Sequence, residues 1–407
     1  MSAITIFSGT FCEDDRVVQD VLARTGYELV SDRDVVAKAS RISNVPESRI
    51  EKAFSASTSV FNKFTHEKER AVACLRLALA EILLGDNILV SGFVGHLVPE
   101  EVNHVLRICL IADMKFRISA AAKEKDMSED AALKLIRQQD EDRAVWINYL
   151  FGKNDPWDIS LYDIVIPMGK IGVEGASALI KENLGKDIIQ PTADSRKAVQ
   201  DFLLAAKVEA ALTKEGHNIA VNAADGRVSL TINKHVLMLS RLEEDLKSIA
   251  EEVKGVKSVE TKVGKDFHKA DIYRKYDFQT PSKVLIVDDE REFVQSLSER
   301  LYMRDMGSAV AYDGESALNL VKEDEPEVMI LDLKMPGIDG IEVLRKVKET
   351  RPNIEVIILT GHGSEVDREV CMKLGAFAYL QKPVDIDLLS DALRKANEKI
   401  QLKKTES

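Results

Sequence analysis

The sequence predicts an α/β protein of three domains, and two observations carry this prediction. Short apolar runs alternate with helical patterns in the first and last parts of the chain, as at residues 284–287 and 328–331. Continuous apolar strands that alternate with helices are typical of a parallel sheet covered on both faces. Between these parts, residues 197–265 place a hairpin of alternating strands among helices, which indicates a smaller α+β domain.

The composition narrows the class of protein. The chain has 407 residues, of which 45% are hydrophobic and 30% are charged, as in ordinary soluble globular proteins. Its formal net charge of −12 argues against nucleic acid as a partner, because phosphate contacts need a basic surface. The four cysteines are scattered without a C-x-x-C pair, which predicts neither a zinc site nor a disulfide framework. Thiols that stay reduced fit a cytoplasmic protein.

No stretch of the sequence predicts a targeting or membrane segment. The N-terminus lacks a basic region before an apolar core. The longest apolar stretch, residues 88–98, is too short and too polar to span a bilayer. We therefore expect a cytoplasmic location and no membrane span.

Residues 1–186 predict a parallel α/β domain. We expect its strands at residues 3–8, 26–32, 87–92, 105–111 and 162–167. We expect its main helices at residues 16–25, 34–40, 67–84, 113–124, 128–151 and 172–184.

The first strand, loop and helix have the order of a phosphate-binding loop, but the loop lacks the required residues. Such a loop needs glycines for the approach of backbone N–H groups to phosphate, and a lysine or arginine for charge. Residues 9–16 contain one glycine, no lysine and the acids Glu13, Asp14 and Asp15. Carboxylates repel a triphosphate, and the missing glycines hinder close approach of the backbone.

Residues 1–186 nevertheless resemble the cytidylate kinase-like group of nucleoside monophosphate kinases. The resemblance rests on the strand of Arg107 with residues 112–117, on residues 127–132 followed by Asp140 and Arg143, and on residues 162–166. It implies that Arg107, Arg117 and Arg143 bind ATP or another nucleotide. The alternative for Arg117 and Arg143 is a structural role in ion pairs.

Two further departures weaken the kinase interpretation. The arginine that the family carries after the glycine of its mid-domain strand is Phe93 here, and a second lid arginine is Ala120. Losing these cations removes electrostatic stabilisation of phosphoryl transfer. We expect a degenerate domain without enzymatic activity, and the alternative is an active nucleoside monophosphate kinase.

The middle of the chain predicts a linker, a small domain and a connector. Residues 186–196 indicate a linker, and residues 197–265 follow the order α-β-β-α-β, with the first helix from about residue 198 to 214. Residues 208–212, 225–230 and 255–259 resemble those of a BON domain. A spacer or dimerisation module fits a cytoplasmic chain, which leaves a homodimer open. Residues 266–282 form a charged and aromatic connector.

Residues 283–402 contain four apolar runs that end in polar residues. The runs lead into Asp288 and Asp289, Asp332, Thr360, and Lys382. Because the carboxyl ends of parallel strands meet at one edge, these side chains should lie close together. Three clustered carboxylates repel one another unless a cation lies among them, and oxygen ligands suit Mg²⁺. A carboxylate beside Mg²⁺ can attack phosphorus, and Lys382 and Thr360 can meet the new charge.

These residues resemble the receiver domain of two-component response regulators. The resemblance rests on the acidic pair, on Asp332 within residues 331–337, on Thr360 followed by residues 361–363, and on Tyr379 three residues before Lys382. It implies a flavodoxin-like (βα)5 fold and a cis peptide bond between residues 382 and 383.

The same resemblance implies the chemistry of the site. Asp332 would accept a phosphoryl group from a sensor histidine kinase or phosphotransfer protein, with Mg²⁺ on Asp288, Asp289 and Asp332. Thr360 and Tyr379 would move together as the switch. The sequence thus predicts a two-component response regulator whose receiver controls an inactive kinase-like domain. The alternatives are a nucleotide kinase regulated by its receiver, and a scaffold that binds no nucleotide.

Overall fold

The computed structural model describes residues 2–56, 66–233, 239–264, 283–302, 304, 306–361 and 363–406. The predicted connector at residues 266–282 lies outside the described residues. The described residues form two compact units, one within residues 2–56 and 67–264 and the other within residues 283–406. Among the described helices, none has the length and apolarity needed to cross a membrane.

The first unit contains a five-stranded parallel sheet at the predicted positions. Its strands are β1 (Ala3–Ser8), β2 (Glu28–Ser31), β3 (Ile88–Ser91), β4 (Val105–Ile111) and β5 (Ile164–Pro167). Their order in the sheet is β2-β3-β1-β4-β5, so β1 lies at the centre between β3 and β4. The central position puts the carboxyl end of β1, and the loop after it, in the middle of one sheet edge.

Helices cover both faces of this sheet, as the continuous apolar strands predict. The helices are α1 (Asp14–Thr25), α2 (Asp32–Ser43), α3 (Glu47–Glu51), α4 (Glu67–Ile82), α5 (Met114–Lys125), α6 (Glu129–Phe151) and α7 (Met168–Leu184). Ile4 and Ile6 of β1 pack with α1 and α7 on one face. Ala3 of β1 faces the other side and shares a core with α2 and α4.

A small three-stranded sheet follows in the same unit. Its elements are α8 (Ala193–Lys214), β6 (Ala220–Ala224), β7 (Arg227–Ile232), α9 (Leu239–Glu251) and β8 (Ser258–Val263). β7 pairs antiparallel with β6 and parallel with β8. The α-β-β-α-β order is the predicted one. We call these elements the central module.

The predicted linker at residues 186–196 is wrong in its second half, because α8 begins at Ala193. The Thr192 side chain accepts a hydrogen bond from the Ser195 backbone N–H, and the Ser195 side chain accepts one from the Thr192 backbone N–H. This capping box satisfies two N–H groups at the helix start and stabilises an earlier first turn than apolar periodicity indicates.

Helix α8 contributes to two hydrophobic cores. Phe202 and Ala206 belong to the core that α4 and β1 share, whereas Val208 and Leu212 belong to the core of the central module. The Glu209 carboxylate also accepts a hydrogen bond of 2.7 Å from Arg76 of α4. One helix therefore packs the central module against the α/β domain.

The second unit is a five-stranded parallel sheet flanked by helices, as predicted. Its strands are β9 (Val284–Val287), β10 (Ser308–Ala311), β11 (Val328–Leu331), β12 (Glu355–Thr360) and β13 (Ala378–Gln381), in the order β10-β9-β11-β12-β13. Its helices are α10 (Arg291–Tyr302), α11 (Gly314–Glu323), α12 (Gly340–Thr350), α13 (Glu365–Lys373) and α14 (Ile386–Glu406). The strand order is that of a flavodoxin-like fold, with its crossover at β9 and β11.

We expect Phe202→Ala to destabilise the first unit by about 3–5 kcal/mol, because the ring is buried and its removal leaves a cavity. Urea denaturation followed by tryptophan fluorescence measures this, since both tryptophans, Trp146 and Trp157, lie in that unit. Lys207→Ala, at an exposed position of the same helix, is the control. Equal stability of the two variants would show that α8 does not complete this core.

Candidate functional site

The register of the second sheet places two aspartates side by side. Val287 of β9 pairs with Leu331 of β11, so Asp288 and Asp332 follow neighbouring strands at the same level. The ladder continues one residue further, because the Asp332 N–H donates to the Val287 carbonyl over 2.9 Å. Both carboxylates are held at the sheet edge with only 2% and 5% of the residue exposed.

Asp289 joins this pair and completes an acidic cluster. Each of Asp288, Asp289 and Asp332 offers an oxygen atom, and the three atoms lie within 4.8 Å of one another. Two of the carboxylates are buried, where water screens their repulsion weakly. A set of oxygen-only anionic ligands at this spacing fits Mg²⁺. The structure thus brings together all three predicted metal ligands.

Lys382 supplies a positive charge against the cluster. Its Nζ lies 2.6 Å from Asp288 Oδ2 and 3.6 Å from Asp332 Oδ2. Burial lowers the pKa of Lys382, but its hydrogen bonds with Asp288 and Glu290 outweigh burial and raise the pKa. Burial raises the pKa of Asp288, and the hydrogen bond from Lys382 opposes that rise. The lysine therefore stays charged and partly neutralises the cluster.

The chain on either side positions Lys382. Its backbone N–H donates to the Thr360 carbonyl over 3.0 Å, which aligns the ends of β12 and β13. The Lys382-Pro383 peptide bond is cis, as the resemblance implies. The lysine also lies 4.4 Å from the centre of the Phe293 ring, a cation–π distance.

The predicted switch residues lie next to each other. Thr360 is fully buried at the end of β12. The Tyr379 hydroxyl is buried and makes no hydrogen bond with any described residue. A Cβ atom on Gly363 would lie 1.7 Å from that hydroxyl and 2.9 Å from Thr360 Cγ2. A larger residue at position 363 would therefore displace the Tyr379 hydroxyl from its present place beside Thr360.

Reasoning from the sequence missed two contributors to this site. Glu290 accepts a hydrogen bond of 2.9 Å from Lys382, although it follows the acidic pair and carries no motif of its own. Gly340 begins α12, and a Cβ atom there would lie 2.2 Å from the carbonyl oxygen of Asp332. No local signal identifies either residue, because both depend on contacts across the sheet edge.

In the first unit, two of the three predicted arginines contact the end of β1 and its loop. The Arg117 Nε donates to the Thr10 carbonyl over 2.7 Å, and its two terminal nitrogens donate to both oxygens of Asp140 over 2.7 and 2.8 Å. Arg143 donates to the Ser8 carbonyl over 2.7 Å. The protein's own acceptors therefore engage both guanidinium groups.

The loop after β1 folds inward. Phe11 and Glu13 have φ angles of 61° and 57°, in the left-handed region that most residues avoid. Phe11 and Cys12 are buried, and burial raises the pKa of the Cys12 thiol to about 12. Burial also raises the pKa of Asp14. The loop thus has a buried side chain and acids where a phosphate-binding loop has open backbone N–H groups.

Arg107 lies elsewhere, whereas the centre of the Phe93 ring lies 5.6 Å from the guanidinium carbon of Arg143. Arg107 pairs in register with Thr5 in the middle of β1, and its Nη2 donates to the Pro99 carbonyl over 2.7 Å. Phe93 packs edge to face against Trp146, and its backbone N–H donates to Asp32 over 2.9 Å. The structure therefore brings Arg117 and Arg143 to the loop but does not bring Arg107 there.

Comparison with known proteins finds family matches in the first and last parts of the chain. Residues 284–394 match the response regulator receiver domain, and residues 3–170 match the cytidylate kinase-like family. Sporulation initiation phosphotransferase F of Bacillus subtilis (strain 168) is 38% identical over 113 residues, which are 28% of this chain and 91% of that protein. The chain belongs to the response regulator receiver family.

Two further matches each cover less than a third of this chain. The transcriptional regulatory protein CpxR of Escherichia coli (strain K12) is 43% identical over 102 residues, which are 25% of this chain and 43% of that protein. A crystal structure of a response regulator receiver domain protein from Clostridium thermocellum has 36% identity and a TM-score of 0.29, and covers 30% of this chain and 97% of that one. The chain spans less than half the length of CpxR.

We expect Mg²⁺ to bind the receiver, and Asp289→Asn to weaken binding at least about tenfold, since even indirect partners of a metal contribute 10- to 100-fold. Calorimetric titration of the whole chain with MgCl₂ measures the affinity. Asp391→Asn, on an exposed face of α14, removes the same charge away from the cluster and serves as the control. Equal affinities for the two variants would exclude Asp289 as a ligand.

Proposed function

We propose that this response regulator accepts a phosphoryl group on Asp332 from a sensor histidine kinase or a phosphotransfer protein. The observation that carries the proposal is the cluster of three carboxylate oxygens within 4.8 Å, next to the Lys382 ammonium group. Asp288, Asp289 and Asp332 would hold Mg²⁺. When bound, this ion would neutralise charge on the transferring phosphoryl oxygens.

The protein groups have separate parts in this transfer. A carboxylate oxygen of Asp332 attacks phosphorus, and the bond between phosphorus and the donor breaks as the donor leaves with its electron pair. Asp332 Oδ1 already accepts a hydrogen bond of 2.8 Å from the Leu333 N–H, which orients the carboxylate. Lys382, only 3.6 Å from Asp332 Oδ2, would pair with a phosphoryl oxygen.

Thr360 and Tyr379 would change position when Asp332 is phosphorylated. The Thr360 hydroxyl would donate to the phosphoryl group, and Tyr379 would move into the space that the threonine leaves. A buried hydroxyl without a partner costs about 1–3 kcal/mol, so Tyr379 has little to hold it in its present position. Phosphorylation shifts the equilibrium because these residues make different contacts in the two states.

We infer that the kinase-like domain is not an active enzyme and that the receiver controls it as an output domain. Arg117 and Arg143, the cations expected to meet phosphate, donate to Asp140 and to backbone carbonyls of residues 8 and 10. A nucleotide would have to break these contacts and approach the acids of the loop. This observation favours the degenerate kinase over the active one.

The central module would serve as a BON-like spacer, since α8 packs it against the kinase-like domain.

We place the protein in the cytoplasm, where thiols stay reduced. All four cysteines are free, which supports that compartment.

Incubation with a small phosphodonor such as acetyl phosphate and Mg²⁺ should add one phosphate, and Asp332→Asn should abolish the addition because the nucleophilic oxygen is lost. Intact-protein mass spectrometry measures the addition. Asp391→Asn is the control and should be phosphorylated like the wild type. Phosphate that survives Asp332→Asn would place the acceptor elsewhere.

Arg117→Ala should lower the free energy of unfolding of the first unit by about 2–4 kcal/mol, because it leaves a partly buried carboxylate on Asp140 unpaired. Urea denaturation followed by tryptophan fluorescence measures the loss, and Arg137→Ala, at an exposed position of α6, is the control.

Calorimetry should detect no ATP binding to the wild type. Formation of a nucleoside diphosphate from ATP-Mg²⁺ and CMP, abolished by Arg117→Ala, would establish the active kinase instead.

A further inference from the structure

A cavity lies on one face of the first sheet, apart from the loop after β1. It has a volume of about 280 Å³ and extends over the middle of β1 and the first half of β4. Its exposed rim includes Glu100 and Asp163, which precede β4 and β5 in the chain. None of residues 9–16 lines the cavity, so it is distinct from the loop after β1.

The inner wall of the cavity is aromatic. Phe7, His96, Phe151 and Tyr162 line it. The rings of Phe7 and His96 pack edge to face with their centres 4.4 Å apart. Burial lowers the pKa of His96 to about 4, so this wall carries no charge at neutral pH. An uncharged aromatic wall favours a ligand with an apolar ring.

Thr5 brings an unused polar group to this apolar wall. The residue is only 6% exposed and lines the cavity. Its hydroxyl makes no hydrogen bond with the described part of the chain, and it is open to the cavity rather than fully enclosed. A ligand atom that donates or accepts a hydrogen bond would satisfy it.

Arg107 brings a cation to the same cavity. Its guanidinium donates to the Pro99 carbonyl over 2.7 Å and to the Val105 carbonyl over 3.5 Å, which uses two of its five N–H groups. Burial lowers the pKa of Arg107, and the nearby carboxylates of Asp163, Glu100 and Glu101 oppose that lowering. Glu100 and Asp163 at the rim repel a ligand with several negative charges. A single carboxylate can pair with the Arg107 guanidinium group at the cavity wall.

We propose that this cavity is a binding site for a small molecule with a single aromatic ring and one carboxylate. The ring packs against Phe7, His96 and Tyr162, the carboxylate pairs with Arg107, and a polar substituent reaches Thr5. The volume is at the small end of ligand pockets, which suits one ring rather than a nucleotide. The kinase-like domain is then a sensor of a small aromatic acid, whether or not the receiver works as proposed.

The test uses 4-hydroxybenzoate as the probe and the full chain, with binding measured by saturation-transfer NMR and calorimetry. Benzyl alcohol has the ring without the charge, and inorganic phosphate has charge without the ring. We expect 4-hydroxybenzoate to bind at least about tenfold more tightly than benzyl alcohol, because the carboxylate adds a charge-assisted hydrogen bond. Phosphate should not compete. Equal binding of the two ring compounds, or no binding of 4-hydroxybenzoate, overturns the proposal.

Variants then locate the probe in the cavity. Thr5→Val replaces the hydroxyl with a methyl group and should weaken 4-hydroxybenzoate about tenfold, the effect of one lost buried hydrogen bond. It should not lower the melting temperature of the free protein, because the hydroxyl has no partner to lose. Arg107→Met should also weaken the probe at least about tenfold, whereas Arg33→Met, at an exposed position of α2, should not. Unchanged affinity in Thr5→Val, or a lower melting temperature, overturns the assignment.

Discussion

The receiver depends on one electrostatic constraint, the close approach of three carboxylates at the edge of a parallel sheet. Asp288 and Asp332 are adjacent because β9 and β11 pair in register, and the fold buries both. Lys382 offsets part of their repulsion from the end of β13, two strands away from β11. The lysine can do so only because β12 and β13 end at the same level. The register of the sheet therefore determines how much negative charge the site carries. A bound cation would balance the part that Lys382 leaves uncompensated.

The first unit also has charged side chains at the edge of its sheet, but there they are neutralised within the chain. Its cations at the loop, Arg117 and Arg143, meet a carboxylate and backbone carbonyls of the same chain. Guanidinium groups that are already paired gain little from a phosphate, because a new contact only replaces an old one. In the receiver, by contrast, three negative charges share a single lysine. In the first unit the charges at the sheet edge are paired within the chain, and in the receiver they are left partly unpaired. The receiver edge is therefore the one that suits a metal ion.

The sequence predicts the elements that local patterns encode. Buried strands such as β9 and β11 are continuous apolar runs, and the residues that end them are the site residues. Strand β10 (Ser308–Ala311) is absent from those runs, because small and polar residues at a sheet edge give no apolar signal. The start of α8 depends on a capping box that lies outside its apolar stripe. Apolar periodicity therefore finds the core strands but misses edges and termini.

Side-chain partners are harder to predict than strands. Arg117 is a candidate phosphate ligand by its motif, yet its pairing with Asp140 is decided by how α5 packs on α6. Glu290 reaches Lys382 across 92 positions of the chain. Such contacts depend on tertiary geometry. The sequence therefore predicts which charged residues belong to a site, but it does not predict their ion-pair partners. The sequence could predict the acidic cluster of the receiver because Asp288, Asp289 and Asp332 directly follow their own strands.

Helix α8 limits how the central module can act. Moving the module away from the kinase-like domain would expose Phe202 and Ala206, and would break the ion pair between Arg76 and Glu209. Exposing apolar surface costs about 25 cal/mol per Å², so the free energy of such a rearrangement is unfavourable. The packing of α8 therefore makes the central module a rigid extension of the kinase-like domain.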